Sequence, residues 1–214
     1  MNTLKQLSHE EATRAARTTL DSYDQVAEAF WRGTQNHDVS QNRSALLNHL
    51  HGPVPYHILD FGCGPGRDVK VFRELGHIAI GLDGAERFVS MAKQYTGCEV
   101  WQQDFLQLDL PAAHFDGVFA NATLFHIPSQ ELPRVLTQLW ETLKADGVLF
   151  SSNPRGNDHE GWRDGRYASF YTFETWQRLL IDAGFQEVTH YYRPSGQPRH
   201  KQPWLATVWR KASG

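Results

Sequence analysis

Three apolar segments in the first half of the chain each end at or next to an acidic residue, and their ends are evenly spaced. The acids are Asp60, Asp83 and Asp104, and a glycine-rich loop that begins at Gly62 follows the first of them. Twenty-one positions separate Gly62 from Asp83, and the same number separate Asp83 from Asp104. That interval is the length of one strand, loop, helix and loop unit of a parallel sheet. The repeat therefore predicts an α/β chain with a mostly parallel sheet.

The spacing also predicts where the acids lie. The carboxyl ends of neighbouring parallel strands meet at one edge of a sheet, where open α/β sheets bind their ligands. Asp83 is then placed to accept hydrogen bonds from two adjacent ribose hydroxyls. Asp104 is placed to accept one from the exocyclic amine of adenine, beside the flat ring of Phe105. The alternative is that each acid only caps the helix that follows it.

The loop Gly62-Cys63-Gly64-Pro65-Gly66 indicates what kind of ligand approaches this edge. Glycines tolerate positive φ and carry no Cβ, so a ligand can lie close to the main chain. The spacing is G-x-G-x-G and differs from the G-x-G-x-x-G loop that cradles a pyrophosphate. It therefore favours a nucleotide-like ligand without a pyrophosphate, and the alternative is an ordinary turn between a strand and a helix.

Periodicity along the rest of the chain predicts further helices and strands. Residues 8–32 have apolar side chains at helical spacing and predict one or two helices. Two late strands joined by a Pro-rich loop predict an antiparallel pair at the edge of the sheet. The other predicted helices are 40–50, 67–75, 86–95, 129–145 and 172–184, and the other late strands are 147–152, 188–192 and 205–209.

Composition limits the classes of protein that this chain can represent. The 214 residues, 40% of them hydrophobic, are enough for one three-layer core. The net charge of −3 provides no general attraction to nucleic acid or to an acidic membrane, and a polyanionic substrate is disfavoured. Cys63 and Cys98 form no metal-binding pattern, so we expect no metal and no disulfide framework. Residues 1–20 are polar and no segment predicts a membrane span, which favours a cytoplasmic protein.

The series formed by Ile58–Asp68, Asp83, Asp104-Phe105 and Phe115–Asn121 resembles the motifs of class I S-adenosylmethionine-dependent methyltransferases. The resemblance covers about residues 20–212. It implies a Rossmann-like three-layer sandwich with a mostly parallel seven-stranded sheet, an antiparallel edge strand and an N-terminal helical lid. It also implies S-adenosylmethionine as the cofactor and a single domain over 1–214, with 1–50 as cap and 51–214 as core.

The resemblance assigns roles to residues at matching positions. The first acid and the glycine loop hold the methionine end of the cofactor, the second acid holds the ribose, and the third acid with its neighbour holds the adenine. Gly84 and Pro65 depart from the common pattern without upsetting this assignment. The candidate cofactor-binding residues are Tyr23, Asp60, Gly62, Cys63, Gly64, Arg67, Asp83, Gly84, Asp104, Phe105 and Asn121.

The chemistry implied by a sulfonium donor places few demands on the protein. Transfer is an in-line displacement, so the protein must mainly align the reactants and exclude water. His126 follows the fourth strand, near the expected position of the methyl group. His126 and Asn121 are the candidate catalytic residues. The alternative role for His126 is to fasten the loop before Pro128.

Two segments are candidates for binding the methyl acceptor. Residues 30–42 combine two aromatic residues with small polar ones and predict a lid, with a solvated loop as the alternative. Residues 191–206 contain Arg193 and Arg199, either of which is a candidate for binding a carboxylate, with a surface arginine as the alternative. The candidate substrate-binding residues are Trp31, His37, Asn42, Phe125, Tyr167, Arg193 and Arg199.

These two segments are similar to the methyltransferase portion of ovothiol-forming proteins. That resemblance implies a small acceptor, the imidazole nitrogen of 5-thiohistidine. The net charge and the lack of an apolar segment predict no nucleic-acid or membrane partner. A methyltransferase with another small-molecule, protein or nucleic-acid acceptor is an alternative, although no basic stripe supports a nucleic acid. A non-catalytic donor-binding module and an NAD-dependent oxidoreductase are further alternatives, and the glycine spacing disfavours the latter.

Overall fold

The computed structural model describes Leu4 and residues 6–212, and residues 1–3, 5, 213 and 214 lie outside the described part. Part of residues 1–20, the segment that we predicted to be polar and to favour a cytoplasmic protein, therefore lies outside the described residues as well. Seven strands form one sheet in the order β3-β2-β1-β4-β5-β9-β8. They are β1 (His57–Phe61), β2 (Ile78–Asp83), β3 (Val100–Gln102), β4 (Phe115–Asn121), β5 (Leu143–Pro154), β8 (Phe185–Arg193) and β9 (Trp204–Lys211).

The first five strands of the sheet run parallel, as the spacing of the acids predicts. The one reversed strand, β9, pairs antiparallel with both β5 and β8, so it lies inside the sheet and β8 forms the edge. The predicted antiparallel pair at the edge of the sheet is therefore confirmed, with the reversed strand β9 one position in from the edge. Burial matches this order, because Leu205–Trp209 is buried throughout whereas most of β8 is partly exposed.

Helices cover both faces of the sheet and complete three layers. One cluster of buried side chains packs between the sheet and α5 and α6, and another packs on the opposite face against α2, α3 and α4. Alternate strand residues supply both clusters because successive side chains of a strand point to opposite faces. The helices are α1 (His9–Thr34), α2 (Ser40–Leu47), α3 (Arg67–Glu74), α4 (Glu86–Thr96), α5 (Leu132–Thr142) and α6 (Phe173–Asp182).

Residues 9–34 form one continuous helix, α1. A capping box fixes its start, because the Ser8 side chain accepts a hydrogen bond from the Glu11 amide and the Glu11 carboxylate accepts one from the Ser8 amide. Two later helices are shorter than predicted, since α2 ends at Leu47 and α5 begins at Leu132. Within the described residues, no helix has the length and apolar character needed to cross a membrane.

A hairpin that the sequence patterns did not predict supports α1. It consists of β6 (His159–Arg163) and β7 (Arg166–Phe170), which form a separate two-stranded sheet within the described residues. The amide of Tyr167 donates to the Thr19 hydroxyl of α1 at 2.9 Å, and the Ser169 hydroxyl donates to the carbonyl of Ile127. The hairpin thus joins α1 to the segment that follows β4.

Candidate functional site

A cavity of about 630 Å³ opens at one edge of the sheet, where β1, β2, β4, β5 and β8 end and β9 begins. Helix α1 and the connection from α1 to α2 form the opposite wall. Sixteen of the predicted site residues line the cavity: Tyr23, Trp31, His37, Asn42, Asp60, Gly62, Cys63, Gly64, Arg67, Asp83, Asp104, Phe105, Asn121, Phe125, His126 and Arg193.

Three predicted site residues do not line the cavity. The side chain of Leu20 packs where a Cβ of Gly84 would stand, so Leu20 faces the cavity in its place. Tyr167 is buried in β7 and contributes its carbonyl to a hydrogen bond with His126. The Arg199 guanidinium stacks on the ring of Tyr192, 3.1 Å from its centroid. Tertiary packing therefore directs each of these three residues away from the cavity wall.

Asp60, at the end of β1, is 3% exposed, and its Oδ2 atom has no hydrogen-bond partner among the described residues. Burial raises the pKa of this carboxyl well above its usual range, and the neighbouring Asp68 and Asp83 carboxylates raise it further. Leaving a buried polar atom unpaired is costly, so such atoms often mark a position that a ligand fills. A cationic or hydrogen-bond-donating group is the chemistry that this position accepts.

The glycine loop after β1 is held close to its neighbours. The amides of Gly62 and Cys63 both donate to the Leu82 carbonyl of β2, at 2.7 and 3.0 Å. Gly62 has φ +77°, and a Cβ there would collide with the side chain of Thr123. Only glycine fits both the conformation and the space. The loop therefore presents bare backbone to the cavity.

Asp83 connects the loop to the end of β2. Its Oδ2 accepts from the Gly64 amide and its Oδ1 from the Ala85 amide, both at 2.9 Å. Burial raises the pKa of Asp83 to about 6, and the backbone hydrogen bonds oppose that rise. A carboxylate has about four lone-pair positions. Asp83 can therefore still accept hydrogen bonds from two hydroxyls of a ligand.

The third acid lies beside aromatic rings. Asp104 Oδ1 accepts from the Leu106 amide at 2.9 Å, which fixes the turn after β3. The neighbouring Phe105 stacks on Phe61, with ring centroids 4.4 Å apart. Both Asp104 and Phe105 line the cavity, so a flat ring with a donor at its edge fits here.

His126 is tied at both ring nitrogens. Its Nδ1 lies 2.9 Å from the carbonyl oxygen of Tyr167, and its Nε2 lies 2.7 Å from the hydroxyl of Tyr23. A carbonyl only accepts, so Nδ1 carries the proton, and Nε2 then accepts the hydrogen bond that the Tyr23 hydroxyl donates. Burial lowers the pKa of His126 to about 4. The imidazole is therefore neutral at pH 7, and Tyr23 links it to α1.

A second polar chain joins β4 to α2 and β8. The Asn42 side-chain amide donates to Asn121 Oδ1 at 2.8 Å, and the Tyr191 hydroxyl donates to Asn42 Oδ1 at 2.9 Å. Asn42 is only 1% exposed. The segment 30–42, predicted to be a lid, is thus docked on the sheet through Asn42, whereas His37 and Asp38 within it are exposed.

Several lining residues escaped the sequence-based selection, among them Asp68, Thr123, Ser152 and Trp204. Ser152 lies near the end of β5, and the argument that places the three acids at this edge would also have found it. Asp68 forms ion pairs with Arg43 at 2.6 Å and with Arg67 at 2.7 Å. The pair with Arg43 could not be predicted from local sequence, because the two residues are far apart in the chain. Four acids of the cavity wall, Asp60, Asp68, Asp83 and Asp104, lie in residues 60–104, whereas Asp38 and much of the remaining wall come from 31–42 and 193–204.

Comparison with known sequences gives a consistent picture. The profile of the Methyltransferase domain family matches residues 58–147. A trans-aconitate 2-methyltransferase of Deinococcus radiodurans is 30% identical over 62% of this chain and 53% of its own length. An uncharacterized methyltransferase of Schizosaccharomyces pombe is 35% identical over 46% of this chain and 72% of its own length. A tRNA N(3)-cytidine methyltransferase of Mus musculus is 27% identical over 63% of this chain.

A solved structure shares the fold over almost the whole chain. It is the Burkholderia thailandensis 1,6-didemethyltoxoflavin-N1-methyltransferase with bound 1,6-didemethyltoxoflavin and S-adenosylhomocysteine. The TM-score is 0.79, the sequences are 22% identical, and the match covers 98% of this chain and 93% of the other. The chain spans about half the length of the Deinococcus radiodurans relative.

Proposed function

Because the chain belongs to the class I S-adenosylmethionine-dependent methyltransferases, we propose that it transfers the methyl group of S-adenosylmethionine to a small molecule bound in the cavity. The observation that carries this proposal is the meeting of Asp60, Asp83 and Asp104 around one cavity, with one buried carboxylate oxygen of Asp60 unpaired. The cavity volume of about 630 Å³ falls within the range of small-molecule sites.

The residues present fit this donor. The unpaired Asp60 Oδ2 would accept a hydrogen bond from the ammonium of the methionine moiety, next to the bare backbone at Gly62 and Gly64. Asp83 would accept hydrogen bonds from the ribose hydroxyls. Asp104 would accept one from the adenine amine beside Phe105.

The donor supplies an activated methyl group on a sulfonium, whose sulfur leaves as a neutral thioether. The protein's part is to align the reactants, exclude water and receive any proton that the acceptor loses. His126, hydrogen-bonded to Tyr23, is the candidate for the last task, and its lowered pKa of about 4 makes it a weak base. Asn121, held by Asn42, would orient the acceptor.

The narrower proposal for the acceptor is the imidazole nitrogen of 5-thiohistidine. The loop sequences 30–42 and 191–206 support it, and so does the presence of Arg193, which suits an amino-acid carboxylate. Trans-aconitate is a second candidate, favoured by the similarity to the Deinococcus radiodurans relative. A nucleic-acid acceptor is the other alternative, because one relative modifies tRNA, although the net charge of −3 weighs against it.

We expect the Asp83→Ala substitution to weaken binding of S-adenosylhomocysteine by about 1–3 kcal/mol, because it removes hydrogen bonds to a charged acceptor. Isothermal titration calorimetry measures this directly. Asp182→Ala, at an exposed acid of α6, is the matched control and should bind as the unaltered protein does. If the unaltered protein does not bind S-adenosylhomocysteine, the proposed function is wrong.

Transfer of a labelled methyl group then identifies the acceptor class. The narrower proposal predicts much faster turnover of 5-thiohistidine than of histidine. Trans-aconitate and bulk tRNA are assayed in parallel at the same donor concentration. Equal inertness toward 5-thiohistidine and histidine, with turnover of either other acceptor, would reject the narrower proposal and leave the methyltransferase assignment in place.

A further inference from the structure

Among the described residues two arginines line the cavity, and they differ in how many of their donors are already used. Arg67 donates from Nε and Nη2 to the Asp68 carboxylate, which Arg43 also contacts, and from Nη1 to the Thr34 carbonyl. Arg193 forms no ion pair among the described residues. The nearby Asp38 turns its Oδ1 to the amide of Ser40. Hydrogen bonds with Ser40 lower the pKa of Asp38, and Asp38 is close enough for the positive charge of Arg193 to lower it further. No carboxylate of the described residues, however, contacts the Arg193 guanidinium directly.

One nitrogen of the Arg193 guanidinium is held by a hydrogen bond, and its other N–H donors are unused. Its Nη2 donates to the carbonyl of Asp38 at 2.9 Å, which anchors the guanidinium at the end of β8. Nε and Nη1 form no hydrogen bond within the described part of the chain. A guanidinium with a free pair of N–H groups matches the two oxygens of a carboxylate.

Flat side chains lie next to this charge. Trp204, at the start of β9, is the residue directly opposite Arg193 in the β8–β9 pairing. The rings of Trp204 and Phe125 meet edge to face with centroids 6.4 Å apart, and both line the cavity. Such rings pack against a planar apolar body. The charge and the rings together describe a subsite for an acid with a flat framework.

This subsite is separate from the donor end of the cavity. The sheet order puts four strand spacings between β1, which carries Asp60, and β8, which carries Arg193. At about 4.8 Å per spacing, that is roughly 19 Å along the sheet. The acids Asp60, Asp83 and Asp104 suit the ammonium and hydroxyls of the donor, whereas the opposite end suits an anion.

Building on the proposed function, we propose that the methyl acceptor is an organic acid with a flat ring or chain, whose carboxylate binds Arg193 and whose flat part lies against Trp204 and Phe125. In this proposal Arg193 binds the carboxylate of the acid, and Arg199 does not. The Arg199 guanidinium is stacked on Tyr192 outside the cavity.

The test uses protein saturated with S-adenosylhomocysteine and two probes of the same shape, trans-cinnamate and trans-cinnamamide. Calorimetry should give at least about tenfold tighter binding of the acid than of the amide, since a charged hydrogen-bond pair is worth more than a neutral one. Arg193→Gln should reduce this preference to less than about threefold, and Arg193→Lys should restore part of it. Arg199→Gln is the matched control and should keep the full preference.

Each other result has a distinct meaning. If the unaltered protein binds S-adenosylhomocysteine but binds the acid no better than the amide, this inference is overturned and the proposed function stands. A loss of about tenfold or more in S-adenosylhomocysteine affinity on Arg193→Gln would assign Arg193 to the carboxylate of the donor, which also overturns it. Failure of the unaltered protein to bind S-adenosylhomocysteine counts against the proposed function itself.

Discussion

His126 shows at the scale of one residue how position determines chemistry. Its two neighbours, the Tyr167 carbonyl and the Tyr23 hydroxyl, fix which nitrogen carries the proton. The Arg166 guanidinium, 4.0 Å from the centroid of the Tyr23 ring, further disfavours a positive charge on the imidazole. The residue that the sequence marks as a candidate base is thus kept neutral, and its surroundings make it a weak base.

The lowered pKa of His126 predicts a pH-dependent contribution to stability. Between pH 6.5 and about 4 the unfolded chain binds a proton that the folded chain does not. Stability relative to His126→Gln should therefore rise by up to about 3 kcal/mol as the pH increases from 4 to 6.5. Urea unfolding at several pH values measures the difference.

His200→Gln, at an exposed histidine, is the matched control for that experiment. It should retain the pH dependence of the unaltered protein. Asp83 adds a slope of the opposite sign, since its raised pKa lowers stability between pH 3.8 and about 6. The unaltered protein and both variants contain Asp83. The difference in stability between each variant and the unaltered protein therefore excludes the contribution of Asp83. A constant difference between the unaltered protein and His126→Gln would contradict the prediction.

At the scale of elements, the loop between β1 and α3 is the most tightly constrained part of the site. Gly62, Gly64 and Gly66 all have positive φ. The constraint at Gly62 combines conformation with the side chain of Thr123, whereas Gly52 also has positive φ but has open space around it. Substitution at Gly52 therefore tests backbone strain alone, whereas substitution at Gly62 tests backbone strain together with a steric collision.

Gly62→Ala should therefore cost more stability than Gly52→Ala. Positive φ costs an alanine about 1–2 kcal/mol at either position. The collision with Thr123 should add roughly 1–3 kcal/mol at position 62. Chemical denaturation of both variants measures the difference, and equal losses would show that Thr123 moves aside freely.

Regular spacing allowed much of the sheet and its acids to be predicted. Asp60 and Asp83 lie at the carboxyl ends of their strands and Asp104 lies just after one, so local pattern alone places them at one edge. The position of β9 between β5 and β8 could not be predicted, because strand order depends on contacts between distant segments. The same holds for Tyr167 and Arg199, where the direction of the side chain depends on neighbours remote in sequence.

At the scale of the whole molecule, one cavity connects parts of the chain that are far apart in sequence. Its wall includes α1, the ends of β1, β2 and β4, and the start of β9. A ligand that contacts these elements together binds the folded state and not the unfolded chain. Binding energy should therefore appear as stability of the entire chain.

S-adenosylhomocysteine should raise the melting temperature substantially. At a concentration 100 times its Kd, a ligand that binds only the folded state adds about 2.7 kcal/mol. For a chain of this size each kcal/mol corresponds to roughly 2–4 °C, so we expect an increase of roughly 5–10 °C. Differential scanning calorimetry measures it. NADH at the same concentration should produce no increase, and a larger effect of NADH would favour the oxidoreductase alternative.

The division of the cavity wall along the chain has a consequence for how proteins of this kind diversify. All three acids lie within residues 58–147, the stretch shared with the family, while Arg193, Trp204 and the connection from α1 to α2 lie outside it. Under the proposed function, mutation or exchange of those outer segments would change which acceptor binds without weakening binding of the methyl donor. The segment that carries the three acids can then stay the same in evolution while the outer segments change.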